Sequence, residues 1–494
     1  MSHEISLRQL MTHRFGFRSV SLLWTGIRGI AVVLAAGIMS VAGVTVNFPV
    51  SGSTVTPPLH IRASASSTHP VTYMRIYVDN ISVYGVAASS LNTYFNIAAG
   101  SHYLVVQAWD SSGAVFKTPL NLTVKLLDGR HQLLRMPFLG GVTHIAGEYG
   151  FTQQNFLLEG ATRIKNFVAP AIFVYMTPGF RQAYPDKQAN LWPSTTPASL
   201  TRVAQTAPYK ALFQMPFRTF VITAHSFANG ANVAGFATNH DAAVSEENEF
   251  YDLTRYLYAT YGGSGKTFIL KHWEGDWIGL QNYDTSKNIS STMVNAMNIW
   301  LTARQNGVAN ARRDAGNPLG LGVFHAVEVN RVLDYVNLGL TRVIDAVVPV
   351  VKPDMVTYSS YDSTLQGTDP TTAAALMTQA LNAIKSLTPD PLALGNHRIL
   401  ISEYGLFENK RPTEVIWRSK TILQTSKSAG LLGAFVWEVF DNECKDSNGN
   451  PFPVDSSFGT ARPSNSQCPG LWLVRPDGSL SSLLSVLSTY WTSP

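Results

Sequence analysis

Charge is what this chain of 494 residues has least of: Asp, Glu, Lys and Arg make up 14% of it, against roughly 25% in an average soluble domain. With 45% hydrophobic residues, a disordered or acidic-tail protein is excluded, because there is ample apolar material for a core. No Lys/Arg cluster lies beyond the leader, which argues against a nucleic-acid partner. No strand is followed by a glycine-rich phosphate loop. The nearest candidate, Gly262–Lys266 (GGSGK), precedes a strand and reads as the turn ending a helix. No HxH or HExxH pair stands at a strand end, so a metal-dependent hydrolase is disfavoured and no cofactor is expected. Cysteine is reduced to Cys444 and Cys468, too few ligands to hold a metal.

Long hydrophobic runs are also missing, apart from Gly29–Val46 (GIAVVLAAGIMSVAGVTV) behind a basic region. A cleaved signal peptide over 1–42 is the expectation, because Ser40, Val41 and Ala42 supply small residues for cleavage. Val44, Val46 and Phe48 also already alternate as a strand, which an anchor would swallow. Membrane association follows only if the segment is retained as an anchor. No Cys follows the apolar run, so a lipid-modified amino terminus is not indicated. The formal charge of +5 belongs mostly to this leader: without its four arginines and one glutamate, 33 basic residues face 31 acidic ones. In an exported, secreted or periplasmic protein the two cysteines, 24 positions apart, most simply form one disulfide closing a Pro/Ser/Asn-rich loop.

The length suits one catalytic-sized domain plus a small module. Over 44–126, Leu59, Ile61 and Ala63 alternate with polar neighbours, as do Met74, Ile76 and Val78, then Leu104, Val106 and Ala108, then Leu120, Leu122, Val124 and Leu126. Period two with Ser-Gly punctuation predicts an antiparallel sandwich. YMRIYVDN and HYLVVQAWDSSG resemble segments of bacterial immunoglobulin-like modules, which implies a spacer or adhesion unit. A polar linker is expected over 127–135. From 136 to 494, eight candidate strands alternate with helical periods: Leu139–Thr143, Thr162–Phe167, Thr219–Ala224, Thr267–His272, Gly322–Val327, Met355–Ser359, Arg398–Ser402 and Gly433–Trp437. This α/β pattern predicts a (β/α)8 TIM barrel, with a doubly wound open sheet as the alternative. Lys165, on the second candidate strand, reads as structural.

In a barrel, chemistry gathers at the carboxyl ends of strands. There strand four runs into His272-Trp273-Glu274-Gly275-Asp276-Trp277 and strand seven into Ile401-Ser402-Glu403-Tyr404-Gly405. An acid ending a hydrophobic strand is costly to desolvate, and glycoside hydrolysis is a chemistry that uses two of them. The strand pattern, Glu274, the Ile-Ser-Glu-Tyr-Gly run and Gly433-Ala434-Phe435-Val436-Trp437 together resemble a retaining glycoside hydrolase of clan A, the cellulase- and mannanase-like barrels.

The resemblance implies a carbohydrate substrate, Glu403 as nucleophile, Glu274 as general acid/base and Trp437 as a platform under the sugar. It further implies that Tyr358 or Tyr361 holds the nucleophile and that His225 contacts sugar or carboxylate. Trp273 stands where the clan usually has an asparagine, which makes Asp276 the fallback acid. Trp273 and Trp277 are subsite walls or core, and Glu328 binds a sugar hydroxyl or pairs with a cation. The loop from Glu438 to Leu471, with Glu438, Asp441 and Glu443, reads as a solvated lid pinned by the disulfide rather than a calcium loop. The competing reading is a carbohydrate-binding or adhesive surface protein that has kept the barrel.

Overall fold

The computed structural model describes residues 42–187, 190–456 and 462–491. The expected signal segment therefore lies almost wholly outside the described residues. Among those residues no helix is long and apolar enough to cross a membrane.

The amino-terminal strands form two sheets. Gly43–Phe48, Leu59–Ser66 and Ser90–Phe95 make an antiparallel three-stranded sheet; Thr54–Val55, Val115–Val124, Gly100–Asp110, Val71–Val78 and Ile81–Val86 make a five-stranded one in that spatial order. Period-two alternation turns Leu59, Ile61, Met74, Ile76, Leu104, Val106, Leu120 and Leu122 into one shared buried core. Each such side chain contributes about 1.5–3 kcal/mol on leaving water.

The expected linker carries a helix, Gly129–Leu134, capped by Asp128. Its Leu133 enters the apolar floor of the barrel, while Gln132 Nε2 donates to the Gly265 and Lys266 carbonyls. The sandwich meets the barrel at this amino-terminal end. Asn96 Nδ2 donates to the Gln214 carbonyl across 3.0 Å, and a Cβ on Gly265 would stand 1.8 Å from the Pro57 carbonyl oxygen, so only glycine allows that approach.

Eight parallel strands close into a barrel: Leu139–Thr143, Ala171–Met176, Thr219–Ala224, Lys266–Lys271, Leu321–Val329, Met355–Ser359, Ile399–Tyr404 and Gly433–Val436. Closure excludes the doubly wound alternative. The expected second strand is corrected. Thr162–Phe167 falls mostly in the helix Phe156–Asn166, whose buried Phe156, Leu157, Gly160, Ala161 and Ile164 keep helical spacing. Lys165 is exposed on that helix and takes no part in the barrel. The second strand is Ala171–Met176, directly after Pro170.

Alternation along the strands splits the side chains into two sets. Phe173, Val221, Ile269, Phe324, Ala326, Met355, Leu400 and Phe435 fill the interior, while their neighbours face the surrounding helices. Those helices include His240–Tyr261, Ser291–Asp314, Pro370–Leu387 and Val415–Ser428.

Candidate functional site

Extending that alternation toward the carboxyl ends of five strands names residues of the top interior layer. Phe173 leads to Tyr175, Ile269 to Lys271, Ala326 to Glu328, Met355 through Thr357 to Ser359, and Phe435 to Trp437. Strand seven breaks the rule. Tyr358 pairs with Ile401 but Ser359 with Glu403, and Ile401 pairs with Ala434 but Tyr404 with Val436. One extra residue is thus inserted against both neighbouring strands. Such a bulge re-aims side chains, and here both Ser402 and Glu403 reach buried interior partners.

Lys271 Nζ is 2.5 Å from Glu328 Oε1 and 3.5 Å from Glu403 Oε1, with all three side chains buried. Ser402 Oγ also donates to Glu328 Oε1. Glu328 Oε2 accepts from the Glu274 backbone N–H at 2.6 Å, fixing where Glu274 leaves strand four. Ser359 Oγ stands 2.5 Å from Glu274 Oε1 and 3.3 Å from Glu403 Oε2, so those two carboxylate oxygens are at most 5.8 Å apart.

Above them opens a cleft of about 370 Å³. Its walls are aromatic, with Trp273, Trp277, Tyr361, Phe407 and Trp437, and both Glu274 and Glu403 reach it. Trp437, whose peptide bond to Glu438 is cis, donates from Nε1 to Asn442 Oδ1 at 3.3 Å.

Burial dominates the electrostatics. It raises the Glu274 carboxyl to about 7, with Ser359 pulling down and Glu328 pushing up. Glu403 is also pushed well above the usual carboxylate range by burial; the Lys271 ammonium opposes this, and Glu328 and Glu274 reinforce it. Carboxylates this close do not both ionise freely, so the pair retains a proton near neutrality.

Several expected residues stand elsewhere. Tyr358 faces the helix layer, where its hydroxyl donates to Asp362 and meets Ser363 Oγ at 2.8 Å; of the two tyrosines only Tyr361 lines the cleft. His225 does not reach the cleft. Its ring lies 6.2 Å from that of Trp300, and burial lowers its pKa to about 4. Glu328 does not line the cleft either: it lies beneath, as the partner of Lys271. Asp276 does not line the cleft: it is fully buried and accepts backbone N–H groups from Asn330, Arg331 and Val343 at 2.7–3.0 Å.

The loop after strand eight is corrected from solvated to largely buried at its base. Glu438 and Asp441 are fully buried, Asp441 accepting from Gly470 and Leu471 N–H at 2.8 Å, while Glu443 is exposed at the cleft. Cys444 and Cys468 are joined by a disulfide. Among the described residues the one metal-type grouping is Asp441, Cys444 and Cys468, and the disulfide occupies both sulfurs. Lys271, Ser359 and Tyr175 are the interior residues that sequence reasoning missed. Alternation along strands four and six, whose bounds were already legible, would have found Lys271 and Ser359, and a correctly placed second strand would have found Tyr175.

No protein-family profile matches the chain, and no curated protein does. Solved structures do. A β-glucuronidase of Bacteroides uniformis is 8% identical with a TM-score of 0.42, over 91% of this chain and 50% of its own. A family 39 glycoside hydrolase of Bacteroides cellulosilyticus is 10% identical with a TM-score of 0.39, over 91% and 82%. A Bacteroides ovatus GH5 xyloglucanase is 10% identical with a TM-score of 0.39, over 91% and 100%. The chain spans about half the length of the first of these.

Proposed function

We propose that this protein is an exported retaining glycoside hydrolase acting on a poly- or oligosaccharide. The observation that carries the reading is the pair of buried glutamates, Glu274 and Glu403, sharing Ser359 as a neighbour on the floor of an aromatic cleft. Two carboxylate oxygens no more than 5.8 Å apart suit the roughly 5–5.5 Å of double displacement better than the about 6.5–9.5 Å of an inverting enzyme.

In the first step a carboxylate oxygen of Glu403 attacks the anomeric carbon while Glu274 gives its proton to the departing oxygen. The bond to the leaving group breaks and a glycosyl ester forms on Glu403. Water then attacks the same carbon, Glu274 takes its proton, and Glu403 departs as carboxylate. Burial of Glu274 supports the acid role by keeping its proton up to about pH 7. The Lys271 ammonium at 3.5 Å supports an ionised Glu403 against its desolvation. Trp437 and Trp273 supply ring faces for sugar C–H surfaces. The disulfide supports an oxidising compartment. We assign 44–126 to a spacer module, since its contacts are at the end of the barrel away from the cleft, and 136–494 to catalysis.

Glu274→Gln and Glu403→Gln variants, assayed on aryl glycosides and a polysaccharide panel, lose turnover while keeping fold and glycan binding. Wild-type protein that binds glycans yet hydrolyses nothing on the panel would instead establish the carbohydrate-binding reading.

A further inference from the structure

Ser359 carries one hydroxyl proton and has two acceptors, Glu274 Oε1 at 2.5 Å and Glu403 Oε2 at 3.3 Å. It is fully buried, so water does not compete for that proton. The charged groups around it are Lys271 and Glu274 on and after strand four, Glu328 on strand five, and Glu403 on strand seven. Tyr175 and Tyr361 stand in the field of Glu274, Glu403 and Glu438. Lys271 is committed to Glu328 at 2.5 Å and, among the carboxylates of the described residues, otherwise pairs only with Glu403. Its charge is therefore fixed in place, whereas the Ser359 hydroxyl can rotate.

We propose that Ser359 is a positioning residue whose hydroxyl proton follows the negative charge, donating to Glu403 in the free enzyme and to Glu274 in the glycosyl-enzyme. This rests on the double-displacement reading above. With Glu274 protonated, its own O–H donates to Ser359 Oγ across the 2.5 Å contact, and the hydroxyl in turn donates to the ionised Glu403 at 3.3 Å. Once Glu403 is an ester and Glu274 has surrendered its proton to the leaving oxygen, the charge is on Glu274 and the hydroxyl turns to it. When water is deprotonated by Glu274 and Glu403 is released, the hydroxyl turns back. No proton leaves Ser359 at any step, so the balance of the reaction is unchanged.

The test is the pH dependence of Ser359→Ala and Ser359→Thr on an aryl glycoside with a good leaving group, for which breakdown of the glycosyl-enzyme limits kcat. A charge-assisted hydrogen bond favours the ionised form of its acceptor. Its loss in Ser359→Ala raises the acid limb of kcat/KM, set by Glu403, and the acid limb of kcat, set by Glu274 in the intermediate. Each rises by about one pH unit. The alkaline limb of kcat/KM stays in place, because Ser359 has a charged acceptor on both sides of that titration. Ser359→Thr keeps wild-type limbs. Ser359→Ala profiles that are scaled down but superimposable on wild type would overturn the proposal. If the wild type hydrolyses no glycoside, the double-displacement reading falls and titration of ¹³Cδ-labelled glutamates decides the placement of the hydroxyl. Using Glu274→Gln and Glu403→Gln for assignment, the lower step of the pair must rise by about one unit in Ser359→Ala; an unmoved step overturns it.

Discussion

Replacing Lys271 by Met leaves the shape of the strand-four side chain roughly intact and removes the one ammonium among Glu328, Glu403 and Glu274. The pair it breaks is fully buried, with Nζ 2.5 Å from Glu328 Oε1 and 3.5 Å from Glu403 Oε1. Deleting one partner of such a pair costs about 3–5 kcal/mol, because a carboxylate is left in a dry interior without a counter-charge. With an unfolding entropy of roughly 2.1 cal/mol/K per residue over a barrel of about 350 residues, that loss lowers Tm by roughly 4–7 °C. The stranded carboxyls can take up a proton in acid, and burial already raises Glu403 in that direction, so the loss is larger at pH 7.5 than at pH 5. Adding Glu328→Gln removes the orphaned charge, while the amide oxygen can still accept from the Glu274 N–H. The double variant therefore recovers most of the Tm lost by Lys271→Met. Differential scanning fluorimetry on the four proteins of this cycle gives the coupling directly. A Lys271→Met protein within 1 °C of wild type (about 0.7 kcal/mol on the same entropy), or a double variant no more stable than the single, would refute the ion pair as the organiser of the barrel top.

Further outcomes follow from the same geometry. Activity on an aryl glycoside with a poor leaving group declines above about pH 7, where Glu274 loses its proton; a profile flat through pH 9 would remove Glu274 as the acid. Burial raises Glu148 to about 8, with the carboxylates of Asp441 and Glu443 adding to it. The native state thus holds a proton that the unfolded chain has released above its own pKa, and stability falls as pH rises from about 4.5 to 8. Glu148→Gln escapes that loss, so its Tm advantage over wild type grows across this window and is constant above it. Trp437→Ala lowers kcat/KM on a glycan by about 30-fold, roughly 2 kcal/mol of lost ring contact, with unchanged circular dichroism. The double Ser replacement of Cys444 and Cys468 frees a loop of 24 positions, worth about 3.5 kcal/mol in chain entropy and readable as a Tm drop of roughly 5 °C.

The architecture was legible where periodicity was long and regular. The four alternating runs from Leu59 to Leu122 pointed to one core, and seven of eight barrel strands fell within a few residues of their expected bounds. Strand two failed for a definite reason. Thr162–Phe167 (TRIKNF) holds only Ile164 and Phe167 as apolar side chains, too few over six residues to separate helix from strand periods, and the helix that holds it draws its evidence from Phe156 and Leu157 upstream. Within the site, Glu403 was legible as a strand-end acid, but simple alternation would have turned it outward. The bulge at Ser402 is set by pairing with both neighbouring strands, which no single segment encodes. Glu328 was legible as an acid that binds a sugar hydroxyl or pairs with a cation, but its cation could not be named, because Lys271 reaches it from an adjacent strand. Tyr358 and Tyr361 were separable only once Met355 was known to face the barrel interior, which turns Tyr358 to the helix layer.

The central claim is a covalent glycosyl ester on Glu403. It is tested most directly by incubating the protein with activated 2-deoxy-2-fluoro glycosides, chosen from the sugars that the wild type hydrolyses, and mapping the adduct by peptide mass spectrometry. The account predicts one sugar per chain on the peptide containing Glu403, accumulating in wild type and absent in Glu403→Gln. A label on any other carboxylate would contradict it, as would steady turnover with inversion at the anomeric carbon and no adduct.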